Sequence, residues 1–311
     1  MALSDGYAVE LEPPDLSAYR KGNTGVPYVT RIPSGKPGPE VLVVALTHGN
    51  EICGAIALDR LFREEVRPLR GALTLAFANF EAYQTFDPRY PGASRFIDKD
   101  FNRVWDEATL DSGRQSLELA RARAFRPIVD RAELLLDLHS MQHATPPLML
   151  AGMTEKSLGL ARQVGVPSLI VRDEGHAAGR RMRDYGAFCD PCSPKTALLV
   201  ECGQHWESRS AAVAYETTIH FLAAAGILAI ELPAPPQQRT ITVTDVVTIR
   251  SEDFEFTDDF LGMEVIPQAG TVIAEDGGQA ICTPYDDCVL IMPSRRLAPG
   301  QTAVRLGRFT G

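Results

Sequence analysis

Short, nearly unbroken apolar runs recur at residues 41–46, 73–79, 134–139, 147–150, 168–171 and 197–200. Each has the length of a strand buried on both faces, and none alternates with polar residues as a strand facing water does. Between them, residues 52–63, 115–130 and 208–225 repeat Leu, Ala and charged residues at three- and four-residue intervals. That period predicts helices with one apolar face, suited to covering a sheet. Strand runs alternating with helical segments predict an α/β domain.

The pattern changes after Leu232. Pro233-Ala234-Pro235-Pro236 can continue neither a helix nor a central strand, so it divides the chain into an α/β unit at 1–232 and a smaller unit at 233–311. The second unit carries short β-rich pieces at 240–243, 246–249, 270–273 and 288–292, separated by Gly, Asp and Pro turns, and predicts an all-β module. It could be a lid over a crevice, a dimerisation surface or a cover for the sheet edge, and the sequence does not choose among them. No internal repeat is present, which removes solenoids and propellers.

Ionisable residues collect where the apolar runs end. Thr47-His48-Gly49-Asn50-Glu51 follows the run 41–46, His139 closes 134–139, and Glu201-Cys202-Gly203 follows 197–200. Ligands of open α/β sheets bind beyond the carboxyl ends of the strands, so these three ends point to one crevice. Two imidazoles and a carboxylate, His48, Glu51 and His139, are the donor set of a catalytic zinc with a fourth position left open, although other divalent ions tolerate similar ligands. Such an ion lowers the pKa of water to roughly 7. Asp137 shares a strand face with His139 and is placed to support that imidazole from behind. His143, His176 and His205 also lie near candidate loops.

In order along the chain, His48-Gly49-Asn50-Glu51, residues 95–103 (RFIDKDFNR), Asp137-Leu138-His139 and Val200-Glu201-Cys202-Gly203 resemble the succinylglutamate desuccinylase/aspartoacylase family. This family comprises zinc amidohydrolases related to the metallocarboxypeptidases. The resemblance implies a carboxypeptidase-like mixed sheet flanked by helices with a smaller C-terminal all-β domain, one Zn2+ on His48, Glu51 and His139, and hydrolysis of an N-acyl amino acid. It also implies Glu201 as the general base, Arg95 as the stabiliser of negative charge on the acyl oxygen, and Asn102 and Arg103 as the grip on the substrate carboxylate. Those roles suit the residue types, since a guanidinium offers a planar fork of donors to a carboxylate or an oxyanion. Asp100, within the same motif, is expected to orient Arg103. Members of this kind also use an arginine shortly before the glutamate and a tyrosine from the C-terminal domain. Here Arg180, Arg181 and Arg183 lie further from Glu201 than the resemblance requires, and Tyr285 has a different context.

Composition narrows the alternatives. With 45% hydrophobic and 23% charged residues, the 311-residue chain is ordinary for a folded protein. A net charge of -9 excludes a broad phosphate-binding face and hence a nucleic-acid partner. No signal-peptide pattern or membrane-length apolar run is present, so a cytoplasmic protein is expected, with six reduced cysteines. Cys189 and Cys192 form an isolated C-x-x-C, read as a turn with two free thiols. The expected partner is a small-molecule N-acyl amino acid, with no membrane partner and a homo-oligomer left open. A carboxypeptidase acting on short peptides would need the same ligands, and a non-catalytic binding protein could keep the fold, though it would have no physical need for Glu201.

Overall fold

The computed structural model of the chain describes residues 6–175, 178–295 and 297–310. His176 lies outside the described residues.

The strands expected from the apolar runs form the middle of one eleven-stranded mixed sheet. In chain order the strands are β1 (Val29–Pro33), which no apolar run indicated, β2 (Glu40–Ala45), β3 (Ala72–Phe77), β4 (Leu134–Met141), β5 (Leu148–Ala151), β6 (Leu169–Arg172), β7 (Thr196–Gln204) and β8 (Arg239–Thr248). The rest are β9 (Glu255–Phe256), β10 (Glu264–Ile266), β11 (Val272–Asp276), β12 (Gln279–Cys282), β13 (Cys288–Ile291) and β14 (Thr302–Phe309). Across the large sheet the order is β1-β3-β2-β4-β7-β5-β6-β8-β14-β13-β10, and β9, β11 and β12 form a separate small sheet. β3, β2, β4 and β7 run parallel, whereas β5 pairs antiparallel with β7.

Period-two geometry explains why the central runs are apolar throughout. Val41, Val43 and Ala45 of β2 enter one core with the helices Ile52–Arg63, Glu155–Val164 and Ser208–Ala224. Leu42 and Val44 enter another on the opposite face, with Leu119, Ala122 and Phe125 of the helix Leu117–Arg131. Both faces of the strand are thus covered, as parallel sheets require.

Beyond the proline segment the expected pieces 240–243 and 246–249 join into the single strand β8, whose mixed exposure hid its continuity. β8 pairs parallel with β6, from Leu169↔Arg239 to Arg172↔Thr242. Antiparallel β14, β13 and β10 then extend the same sheet. The C-terminal antiparallel strands therefore share a sheet and a core, which includes Val171, Leu199, Ile241 and Val289, with the strands that carry the candidate site. No helix among the described residues is long and apolar enough to cross a membrane.

Candidate metal centre and its pocket

β2 ends at Ala45, and Leu46 turns the chain in the left-handed region with φ +59°. This delivers Thr47 and His48 above the sheet edge. Gly49 follows because no side chain fits there: a Cβ would lie 2.5 Å from the Ala82 carbon, the Ser94 oxygen and the Tyr83 nitrogen. Its N–H donates to the Arg95 carbonyl at 3.1 Å, which fastens the His48 loop to the segment 95–103. Glu51 is the last residue before the helix Ile52–Arg63 and is 1% exposed.

The ladder between β4 and β7 runs further than the apolar runs indicated. His139 pairs with Glu201, and Met141 pairs with Gln204 across a bulge. Both residues therefore lie inside strands rather than at the strand ends where the apolar runs stop. Polar side chains are accepted there because they face the crevice, where no hydrophobic layer covers the sheet. The bulge spans Gly203, whose φ of +109° is open to glycine, and it bends β7 beside the site.

Around Glu51 the two imidazoles converge. His48 Nδ1 lies 2.7 Å from Glu51 Oε1, and His139 Nδ1 lies 2.8 Å from Glu51 Oε2. Ser140 N–H donates to Glu51 Oε2 at 3.1 Å. Each ring is held at its far nitrogen by another carboxylate: His48 Nε2 lies 2.9 Å from Asp100 Oδ1, and His139 Nε2 lies 2.8 Å from Asp137 Oδ2. The second of these is a close charge contact without hydrogen-bond alignment. Thr47 Oγ1 donates to the other Asp137 oxygen at 2.7 Å. Burial alone would lower the pKa of His139, but the charges of Asp137 and Glu51 outweigh it and raise that pKa well above the usual histidine value. Glu51 is held well below the usual carboxylate range, since the two histidines overcome its burial.

This donor set fits a metal ion. Ligand atoms from His48, Glu51 and His139, all buried, lie within 4.8 Å of one another. Both Nδ1 atoms face inward with carboxylates beside the outer nitrogens, hydrogen-bonded at His48 and in charge contact at His139, an arrangement suited to metal-ligating histidines.

Arg95 lies against the cluster, donating from NH1 to Glu51 Oε1 at 3.1 Å and from NH2 to Asp100 Oδ2 at 3.1 Å. Asp100 thus serves His48 and Arg95, whereas Arg103, which it was expected to orient, donates to the Asn102 carbonyl at 2.8 Å. Asn102 accepts from Met182 N–H at 2.8 Å through Oδ1 and turns Nδ2 to within 3.4 Å of His139 Nε2. Glu201 has one oxygen, Oε2, buried without a hydrogen-bond partner. Burial, aided by the charge of Glu51 and opposed by His139 and Arg95, pushes its pKa up to about 8.

One pocket of about 220 Å³ is lined by all seven residues expected as metal ligands, base, oxyanion stabiliser or carboxylate grip: His48, Glu51, Arg95, Asn102, Arg103, His139 and Glu201. His143 and His205 line it too, and His205 Nδ1 lies 2.8 Å from Ser140 Oγ. Arg181, Arg305, Thr302 and Ser294 are also part of its wall. Asp173 and Asp184 stand behind these arginines: Arg305 Nε lies 3.1 Å from Asp173, Arg181 pairs with Asp173, and Arg181 Nε reaches Asp184 at 2.8 Å. Burial, and then repulsion from Arg95, Arg181 and Arg305 against the pull of Asp100, lowers the pKa of Arg103 to about 10. Tyr285 is elsewhere, with its hydroxyl beside Thr244 and Arg308 over its ring. The sequence reading missed Arg305, although a charge within the buried strand run Thr302-Ala303-Val304-Arg305-Leu306 is the signal that could have exposed it.

A family model, the succinylglutamate desuccinylase/aspartoacylase catalytic domain, matches residues 37–222. The chain belongs to that family. A relative described as a probable aspartoacylase, from Parasynechococcus marenigrum (strain WH8102), is 31% identical over 206 residues, covering 60% of this chain and 62% of that protein. The chain thus matches less than two thirds of that relative's length. Among solved structures, a succinylglutamate desuccinylase from Vibrio parahaemolyticus superposes with a TM-score of 0.71 at 17% identity, covering 92% of this chain and 87% of that one. A product-bound ectoine utilization protein from Ruegeria pomeroyi gives 0.64 at 20% identity, covering 90% and 88%. At these identities the likeness establishes that this family member shares their fold.

Proposed function

We propose that the protein is a zinc-dependent amidohydrolase that removes a short acyl group, acetyl or succinyl, from the nitrogen of an amino acid. The observation that carries the reading is the composition of one pocket: a buried His48-Glu51-His139 cluster, an unpaired carboxylate oxygen on Glu201, and an arginine, Arg103, that donates to a backbone carbonyl while Arg95, Arg181 and Arg305 around it pair with carboxylates. Family membership and the relative described as a probable aspartoacylase support the same chemistry.

A zinc ion held by His48, Glu51 and His139 would supply Lewis-acid chemistry, acidifying water and polarising an acyl carbonyl. Asp100 and Asp137 keep the imidazoles turned toward that position. Glu201, with its Oε2 free of hydrogen bonds and facing the pocket, accepts a proton from water when ionised and returns it to the departing amine. Arg95 sits beside His48 and Glu51, where a guanidinium stabilises negative charge on the acyl oxygen. Arg103, crowded by Arg95, Arg181 and Arg305, gains most from a bound anion, and with the Nδ2 of Asn102 it holds the substrate carboxylate.

A second reading, a zinc carboxypeptidase acting on short peptides, is favoured by one feature. A larger cavity of about 750 Å³ adjoins the pocket and shares Arg95, Arg103, Gln142, Ser294 and Thr302 with it. Assaying the zinc-loaded protein on N-acetyl, N-succinyl and N-formyl amino acids beside dipeptides separates the two. Release of the amino acid from its acyl group supports the proposal, and cleavage confined to dipeptides replaces it.

A further inference from the structure

Glu118 is a carboxylate with 0% exposure, outside the pocket, that the proposed chemistry does not use. It is the second residue of the helix Leu117–Arg131, where the positive end of the helix dipole favours an anion. Its two oxygens accept from three consecutive backbone N–H groups: Ile97 at 2.6 Å, Asp98 at 3.1 Å and Lys99 at 3.0 Å. Asn79 Nδ2 approaches at 3.4 Å. The grip is returned, because Asp98 Oδ2 accepts from Leu117 N–H at 2.8 Å at the start of the same helix. Arg121, one turn further on, donates from Nε to the Ala78 carbonyl at 2.7 Å and ties the helix to the chain leaving β3.

Both neighbours of this clasp point into the metal centre. Two residues before it, Arg95 reaches Glu51 and Asp100, and one residue after it, Asp100 reaches His48 Nε2. A carboxylate offers enough lone pairs for all these donors. A glutamine in its place has a single acceptor oxygen and turns an amide NH2 toward N–H groups. We infer that Glu118 is a positioning residue, which fixes residues 97–99 so that Asp100 holds the His48 imidazole in its ligating orientation and Arg95 stays beside it. The inference rests on the metal reading of His48, Glu51 and His139.

The test is a thermodynamic cycle. Zinc affinity is measured by competition with a chromophoric chelator for the wild type, Asp100→Asn, Glu118→Gln and the double variant, with thermal melts in parallel. Removing the support of a ligating histidine costs about 10-fold or more in affinity. Glu118→Gln and Asp100→Asn are each expected to show such a loss, and the double variant to bind no more weakly than Asp100→Asn. Wild-type affinity in Glu118→Gln, or losses that multiply in the double variant, would overturn the inference, since residues acting through one another are not additive. Asp98→Ala, which removes the returned bond at an exposed side chain, is the milder variant should Glu118→Gln not fold, and it is expected to lose affinity in the same direction.

Amide hydrogen exchange on the metal-free protein reads the clasp independently. In either variant the amides of Ile97 and Lys99 should lose protection while those of β2 and β4 keep it, and unchanged protection at 97 and 99 would overturn the inference. A wild type that binds no zinc would refute the metal reading, and with it the role assigned to Glu118 there, even if the exchange result showed the clasp itself.

Discussion

His139 and Glu201 are register partners on the adjacent parallel strands β4 and β7. Neighbouring strands lie about 4.8 Å apart, so the pairing sets an imidazole and a carboxylate side by side at the sheet edge without help from a loop. The proposed base therefore stands on the rigid part of the fold, while the groups that face it, Arg95, Asn102 and Arg103, come from one long segment fastened from outside.

Glu201→Gln is expected to keep zinc and the fold while losing at least about 100-fold in kcat, with KM changed little, the pattern of a lost proton acceptor. Metal analysis and steady-state kinetics on the purified variant check this. Turnover near the wild-type rate would remove Glu201 from the mechanism.

Arg103→Ala should act mainly on binding. Losing a charge-assisted contact to a carboxylate costs about 1.5–3 kcal/mol, so KM should rise roughly 10-fold or more while kcat falls less. An unchanged KM would contradict its carboxylate role.

Gly49→Ala tests the close approach of the His48 loop to residues 82–95. A Cβ 2.5 Å from three backbone atoms forces the loop or the segment to shift, so both Tm and zinc affinity should fall. A variant matching the wild type in both would show that the loops have room to separate.

The buried arginine cluster predicts an acid-dependent stability. Burial would raise the pKa of Asp173, but Arg181, Arg305 and Arg183 outweigh it and hold it well below the usual range. A carboxylate with a depressed folded pKa contributes stability that is present above its unfolded value, about 4, and lost as pH falls through the folded value. Asp173→Asn should therefore be strongly destabilised at neutral pH, by roughly 3–5 kcal/mol for a buried pair that loses one partner. The gap to the wild type should narrow as the pH drops below about 4. Denaturant melts of both proteins across pH 2–7 check this, and a gap independent of pH would show that the charge of Asp173 is not what matters.

Much of the architecture was legible because both faces of the central sheet are covered: the runs at 41–46 and 134–139 have no exposed face to interrupt them. The candidate ligands, which the fold brings into one cluster, were legible because ionisable residues stand out where such runs end. The C-terminal strands were harder to read, since β8 carries exposed positions at Thr244, Asp245 and Val246 that split it into two apparent pieces. Its pairing with β6 is a long-range contact with no local signature. β14 escaped notice, and Arg305 with it. This pairing also changes what can be learned by deleting the module after Pro235. The deletion would expose the edge of β6 and remove Ile241, Val289 and Ile291 from a shared core, so a change in accepted substrate length would be confounded by misfolding.

The central claim is tested most directly by following free amine released from N-acetyl, N-succinyl and N-formyl amino acids, using metal-free and zinc-reconstituted wild type beside zinc-loaded Glu201→Gln. Release is expected from the zinc-loaded wild type alone, with at least one acyl amino acid cleaved. Equal release with and without zinc, or full activity in Glu201→Gln, would contradict it.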